Sequence, residues 1–207
     1  MGLYERFVLT PLIDCGCGVK PIRYQRRKIV PQASGVVLEL GFGTGRNLSF
    51  YDPERVSKLV ALEPEPAMLS RARKAALGAR VPVKILAEKA EDMSLPPKTV
   101  DTVLVTYALC TIPNPAAALA GARRVLKPSG RLLFCEHGRA PDAAVARTQA
   151  RIEPLWKRVF GGCHLTRDIP ALIEAAGFEM ERLETMYLPS TPRFAGFNYW
   201  GAAKIRA

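Results

Sequence analysis

Histidine is scarce in this chain, with only His137 and His164 among 207 residues. No apolar run approaches the ~18 residues that a membrane-spanning helix requires. A spanning helix is therefore excluded on length. The N-terminus lacks the charged head, long apolar middle and small-residue cleavage site of a secretory signal. Arg6 also breaks the myristoylation pattern that Met1-Gly2 would open. A cytoplasmic location is the expectation. The five cysteines are an odd count that cannot fully pair, and a chain of this size needs no disulfide staples to hold a core. Cys135, inside the apolar run Leu132-Leu133-Phe134, reads as packing. Cys15, Cys17, Cys163 and His164 lack the two-residue knuckle spacing of a zinc site, so free thiols and no metal are expected. Internal repeats and low-complexity tracts are absent.

Acids are also short, at 19 Asp and Glu against 30 Lys and Arg, for a net charge of +11. Much of the excess is clustered, in Lys20, Arg23, Arg26, Arg27 and Lys28, in Arg71, Arg73 and Lys74, and in Arg147, Arg151, Lys157 and Arg158. These groups read either as solvated helix faces or as contact with an anionic membrane surface. No aromatic-rich module accompanies them, which argues against nucleic acid. A hydrophobic share of 48% and a charged share of 24% are those of a globular domain, expected as monomer or dimer.

The most informative segment is Val36-Val37-Leu38-Glu39-Leu40-Gly41-Phe42-Gly43-Thr44-Gly45-Arg46. An aliphatic run ends in an acid and then three glycines on alternate positions. That is a buried strand feeding a turn too tight for side chains, with a helix starting just behind. The dinucleotide fingerprint would place its third glycine at position 46, where Arg46 stands. Glu39 suits a cationic amino group better than a phosphate. Twenty residues on, Leu59-Val60-Ala61-Leu62 ends in Glu63, placed to accept hydrogen bonds from both hydroxyls of a ribose. Glu63-Pro64-Glu65-Pro66-Ala67-Met68 then opens a helix, with Pro66 in its first turn.

This arrangement resembles the first motifs of the class I S-adenosylmethionine-dependent methyltransferases. Ala90-Glu91-Asp92-Met93-Ser94-Leu95-Pro96 is similar to that family's adenine-side loop, and Asp101-Thr102-Val103-Leu104-Val105-Thr106 to its fourth strand. Arg124-Val125-Leu126-Lys127-Pro128-Ser129-Gly130-Arg131-Leu132-Leu133 is similar to the helix–turn–strand before the fifth. The resemblance implies S-adenosyl-L-methionine as cofactor. It would be held by Glu39, Leu40, Gly41, Phe42, Gly43, Gly45 and Asn47 around the glycine turn, and by Glu63, Pro64 and Met68 behind the second strand. Ala90, Glu91, Thr106 and Tyr107 complete the set. Lys89 replaces the acid that usually precedes the alanine, and Glu88, Glu91 or Asp92 could supply that carboxylate. Ser129 stands where the family often has glycine, in a turn away from the site.

Strands are expected near 36–40, 59–62, 83–87, 100–106, 131–135, 179–186 and 197–205. Helices are expected near 46–50, 66–77, 115–126, 143–159 and 168–176. Alternation of this kind predicts an α/β fold, a seven-stranded, mostly parallel Rossmann-like sheet with helices on both faces. The last two strands are joined only by a Pro-rich loop and form a hairpin, which gives one antiparallel strand. Residues 1–33 form a basic, amphipathic extension, helical in two pieces around Cys15-Gly16-Cys17-Gly18. They read as a lid over the pocket, a packed extension or a surface-lying helix, with the cofactor-binding domain at 34–207.

Ligands of such sheets bind at the carboxyl ends of the strands, which selects Tyr107 behind the fourth strand and Glu136 and His137 behind the fifth. His137 could act as a base. Glu136 could orient that imidazole or bind a cationic substrate, and Tyr107 could wall the pocket beside the methionine part of the cofactor. His164 reads as a turn or lid residue, before a helix that Thr166 or Asp168 would cap. Cys135-Glu136-His137, Pro154-Leu155-Trp156, Gly162-Cys163-His164-Leu165-Thr166-Arg167 and the pair Phe50-Tyr51 resemble a narrower group, the methyltransferase-like thiol methyltransferases and their bacterial relatives. That likeness implies a small-molecule acceptor, a thiol, transferred to by in-line displacement. A phospholipid headgroup amine, a quinone-precursor ring carbon and a non-catalytic cofactor-binding module are the alternatives.

Overall fold

The computed structural model describes residues 18–206. Seven strands run β1 Gly35–Leu40, β2 Val56–Leu62, β3 Val83–Leu86, β4 Val100–Thr106, β5 Leu126–His137, β6 Phe178–Tyr187 and β7 Phe197–Ile205. Among the described residues six α-helices accompany them, α1 Lys20–Ile29, α2 Pro66–Leu77, α3 Pro115–Val125, α4 Ala143–Val159, α5 Ile169–Ala175 and the short α6 Arg193–Gly196. The strands form one sheet in the order β3-β2-β1-β4-β5-β7-β6. Only β7 runs against its neighbours, pairing antiparallel with β5 and β6. The fold is the expected seven-stranded Rossmann-like one.

Central strands are apolar on both faces because both faces are covered. Leu38, Leu40, Val103, Val105, Leu132 and Phe134 pack against α3 and α5 through Leu119, Ala122, Ile169 and Ile173. The alternate residues Val37, Leu59, Leu104 and Leu133 pack the other way, with Ile29 of α1 and Ala72 of α2. Burying each such aliphatic side chain is worth roughly 1.5–3 kcal/mol. Helix starts are set by caps. The side chains of Glu65, Asn114 and Asp168 accept from the backbone N–H of Ala67, Ala117 and Ala171, each with proline in the first turn. Asp168, rather than Thr166, therefore caps α5.

Two expectations are corrected. The helix expected near 46–50 is a run of turns that ends in one 3-10 turn, Leu48–Phe50. Gly45 sits at φ +82° and Asn47 is fully buried, with its amide turned into the core. Pro53 follows, and the residue before a proline disfavours helix. The strand expected at 131–135 begins at Leu126 opposite Val100, loops out, and resumes at Arg131 opposite Thr102. Lys127 anchors that excursion by a 2.7 Å contact with Asp101. Of the N-terminal extension, the first helical piece, Cys15 and Cys17 lie outside the described residues. The second piece is α1, packed on the sheet face.

β7 pairs with β6 across an irregularity in their register between Met180 and Arg182. A Cβ on Gly201 would lie 1.9 Å from the Arg182 carbonyl oxygen and 3.1 Å from the Phe134 ring. Gly201→Ala should therefore lower stability by about 1–3 kcal/mol through overpacking. Urea unfolding checks this, and a variant as stable as the parent would remove the close approach.

Candidate active site

A cavity of about 710 Å³ opens at the carboxyl ends of β1, β2, β4 and β5. It lies where the sheet order reverses between β1 and β4, the usual ligand crevice of such sheets, and its size is typical of small-molecule sites (~300–1,000 Å³). Of the residues singled out in the sequence, Gly41, Phe42, Gly43, Glu63, Pro64 and Met68 wall one end. Ala90, Glu91, Thr106, Tyr107 and His137 continue the wall. Leu40 is buried in the sheet, and Gly45 packs against Leu48, Ala75 and Phe42.

The glycines divide by role. All three have positive φ, +70° at Gly41, +59° at Gly43 and +82° at Gly45. A Cβ on Gly41 would meet Ala108 at 2.6 Å, whereas one on Gly43 would find nothing within 4 Å. Gly43 thus leaves its backbone bare toward the open cavity. The Gly43 N–H donates to Glu63 Oε2 at 2.6 Å, and the Glu65 N–H donates to Oε1 at 2.9 Å. Each carboxylate oxygen retains a lone pair for a hydroxyl. Burial raises the Glu63 carboxyl above its ordinary value, against the lowering effect of those two N–H groups. A vicinal diol set against bare peptide is what these residues fit, so an adenosyl group suits this end. On the adenine side, Glu88 is committed to Ser94. Glu91 faces the cavity and accepts from the Asn114 N–H at 3.3 Å.

Glu39 and Asn47 are not on the cavity wall. They belong to a buried network between the sheet and α1. Arg26 Nη1 donates to Asn47 Oδ1 and Thr106 Oγ1, both at 2.7 Å. The Asn47 amide donates to Glu39 Oε1 at 2.8 Å, and the Tyr51 hydroxyl donates to Glu39 Oε2 at 2.6 Å. The carboxylate expected to meet a cationic amino group already has two protein partners. Arg26 itself lines the cavity, with its guanidinium 5.2 Å from the centre of the Tyr107 ring. It was counted in the sequence as one more surface cation. No local pattern distinguishes it from Arg23 or Arg27, which are exposed.

Glu136 lies off the cavity wall, and its hydrogen bonds go to the backbone rather than to His137. It is fully buried and accepts from the backbone N–H groups of Ala108 and Leu109 at 2.7 and 3.1 Å, and of Cys110 at 3.3 Å. Those bonds hold a loop that begins with Tyr107 at φ +53°, a conformation that costs a non-glycine residue about 1–2 kcal/mol. The Tyr107 hydroxyl reaches away to Asn198 Oδ1 at 3.0 Å, so its ring is the surface it offers the cavity. His164 is a turn residue, its Nδ1 3.1 Å from Glu153 Oε1, and its backbone N–H donates to the Cys110 carbonyl at 2.8 Å.

That last bond draws the 161–166 turn onto the β4 loop. Cys110, His137 and Cys163 consequently line the far end of the cavity, beside Trp156 and Phe160. His137 Nε2 lies 3.0 Å from Cys163 Sγ, and Trp156 Nε1 donates to the same sulfur at 3.3 Å. Hydrogen bonding with Cys110, then burial, pushes the Cys163 thiol well above its ordinary range. Cys110 falls behind the fourth strand, where the rule for open sheets points, but its grouping with His137 and Cys163 had no local signal because those partners lie on other elements.

Comparison with known proteins agrees with this geometry. The methyltransferase domain family matches residues 38–134. Thiol S-methyltransferase TMT1B of Rattus norvegicus is 34% identical over 77% of this chain and 68% of its own length. The human TMT1B is 31% identical over 93% and 83%. In fold, the chain is similar to a putative methyltransferase from Bacillus halodurans, with a TM-score of 0.73 at 19% identity, covering 89% of this chain and 99% of that one.

Burial raises Glu39 from the ordinary 4.5 to about 7, against the lowering effects of Tyr51, Asn47 and Arg26. A raised carboxyl destabilises the folded chain as pH climbs. Below about pH 4.5 both states hold the proton, and above about 7 the unfolded chain has shed it more cheaply. The stability contribution is lost across that window, by up to about 3 kcal/mol. Glu39→Gln should flatten the fall, so the variant gains on the parent as pH rises from 4.5 to 8. Urea titrations at several pH values test this, and parallel profiles would contradict it.

Proposed function

Since the chain belongs to the S-adenosylmethionine-dependent methyltransferases, and is an enzyme of that class, we propose that its acceptor is the thiol of a small, largely apolar molecule. The observation that carries this reading is one continuous cavity with two chemically different ends. One end has the bare peptide of Gly43 and the paired acceptor oxygens of Glu63. The other has Cys110, His137, Cys163, Trp156 and Phe160. The relatives named thiol S-methyltransferase support the same reading.

In this reading Gly41, Phe42 and Gly43 receive the cofactor's backbone, Glu63 its ribose, and Ala90 and Glu91 its adenine. Thr106 and Tyr107 lie between the cofactor and the acceptor. Glu39 and Asn47 act behind the wall, fixing the turn through Arg26 and Tyr51. When bound, S-adenosylmethionine would supply a sulfonium-activated methyl group to an acceptor sulfur that has given up its thiol proton to solvent. The protein's task is to align and dehydrate the acceptor, and good alignment can contribute about 7–11 kcal/mol. Aromatic rings at the acceptor end exclude water and grip an apolar body. Glu136 holds the loop that carries Cys110, so it is a positioning residue. Val19, just before helix α1, joins Ile22 and Arg26 of that helix on the wall, and together they serve as the lid.

The test is methyl transfer from labelled cofactor to a panel of apolar thiols, amines, extracted lipids and RNA. Thiol products are expected, and exclusive labelling of lipid amines would replace the reading. Gly43→Val would force a β-branched residue to positive φ and place its methyl groups in the cavity. Calorimetry should then detect no cofactor binding with the fold intact, whereas unchanged affinity would move the cofactor elsewhere.

A further inference from the structure

Cys110, His137 and Cys163 belong neither to the cradle around Gly43 nor to the Arg26 network. They arrive from three elements, the loop behind β4, the end of β5 and the turn between α4 and α5. Their sulfur and nitrogen donors lie within 4.8 Å of one another. Two cysteine sulfurs and one imidazole are the donor set of a zinc(II) ion that keeps one position open for chemistry, since structural zinc sites fill all four.

One donor atom has an outer partner, and the loop that carries Cys110 is held by backbone bonds. The Trp156 ring N–H donates to Cys163 Sγ at 3.3 Å. Glu136 accepts from the Cys110 N–H, and the Cys110 carbonyl accepts from His164, so the loop is fixed from both sides. Arg167 ties the same loop through the carbonyls of Leu109 and Ile112. Such partners orient the ligands and are part of what makes a site selective. All three residues also line the cavity, so a fourth ligand would come from the acceptor's side.

We propose that Cys110, His137 and Cys163 bind one zinc(II) ion whose fourth ligand is the sulfur of the acceptor thiol. This reverses the expectation of no metal, and it rests on the thiol reading above. Two thiolates and a neutral imidazole make a centre of zero net charge. An entering thiol releases its proton to water and binds as thiolate, since coordination to zinc deprotonates a thiol outright. No carboxylate base is then required, which agrees with Glu39 and Glu136 being committed to protein donors. Soft sulfur ligands are also preferred over alcohols at a thiolate-rich site, so the ion would select the acceptor.

The test uses the full chain purified under reductant, with metal content measured and cobalt(II) then exchanged into the site. About one equivalent of metal is expected, with thiolate-to-cobalt charge-transfer absorption and tetrahedral ligand-field bands that shift when benzyl mercaptan is added. Cys163→Ser and Cys110→Ser should each lose the charge-transfer absorption while still binding S-adenosylhomocysteine, which reports an intact fold. Cobalt uptake no greater than in the double serine variant would overturn the site. Bands that form but ignore the thiol would overturn the substrate-ligand role. Methyl transfer measured in parallel separates the two readings. Thiol turnover that survives complete chelation refutes the metal and leaves the thiol reading standing. A thiol-insensitive cobalt centre with no thiol turnover refutes both the ligand role and the thiol reading.

Discussion

A buried cation holds the site together. Arg26 is only 6% exposed, and an unpaired guanidinium at that depth would be costly enough to empty the position. Its partners are therefore obligatory, and they come from three of the elements that meet around the cavity. Asn47 belongs to the glycine turn, Thr106 ends β4, and Glu39 lies one residue before the end of β1 and is reached through Asn47. Satisfying one charge thus fixes α1 over the sheet, sets the path of the turn and aligns two strand ends. A buried polar network of this kind adds little net stability over an apolar substitute, but it tolerates few alternative arrangements.

The strand and helix pattern was readable because it rests on local physics. Aliphatic runs of strand length, capping acids before proline and the helix-length spacing between strands all act within a few residues. The structure places β4, α2 and α4 at the bounds expected from them. What the pattern could not show was side-chain traffic between elements. Glu39 and Glu136 both sit at strand ends, where the rule for open sheets points to ligands. Each is instead consumed by donors that become neighbours only on folding, Asn47 and Tyr51 for one and three consecutive backbone N–H groups for the other.

The same limit explains the cysteines. A search for knuckle spacing pairs Cys15 with Cys17 and Cys163 with His164, because such motifs are local. In the fold, His164 turns to Glu153 while its backbone carries Cys163 toward Cys110 and His137. The Gly43 and Glu63 end was legible for the opposite reason. A bare turn and a strand-end acid are properties of single segments, and the parallel pairing of β1 with β2 joins them without further information.

The position of β7 has a consequence for biogenesis. It follows β6 in sequence, yet it lies between β5 and β6. While the ribosome is still extending the polypeptide, β5 keeps an unpaired apolar edge and β6 has no neighbour to join. Such an edge is a template for pairing with other nascent chains. Closure of the sheet must therefore wait until residue 205 has emerged, which makes the arrival of β7, and not the appearance of the cofactor cradle, the event that commits this enzyme to its native state.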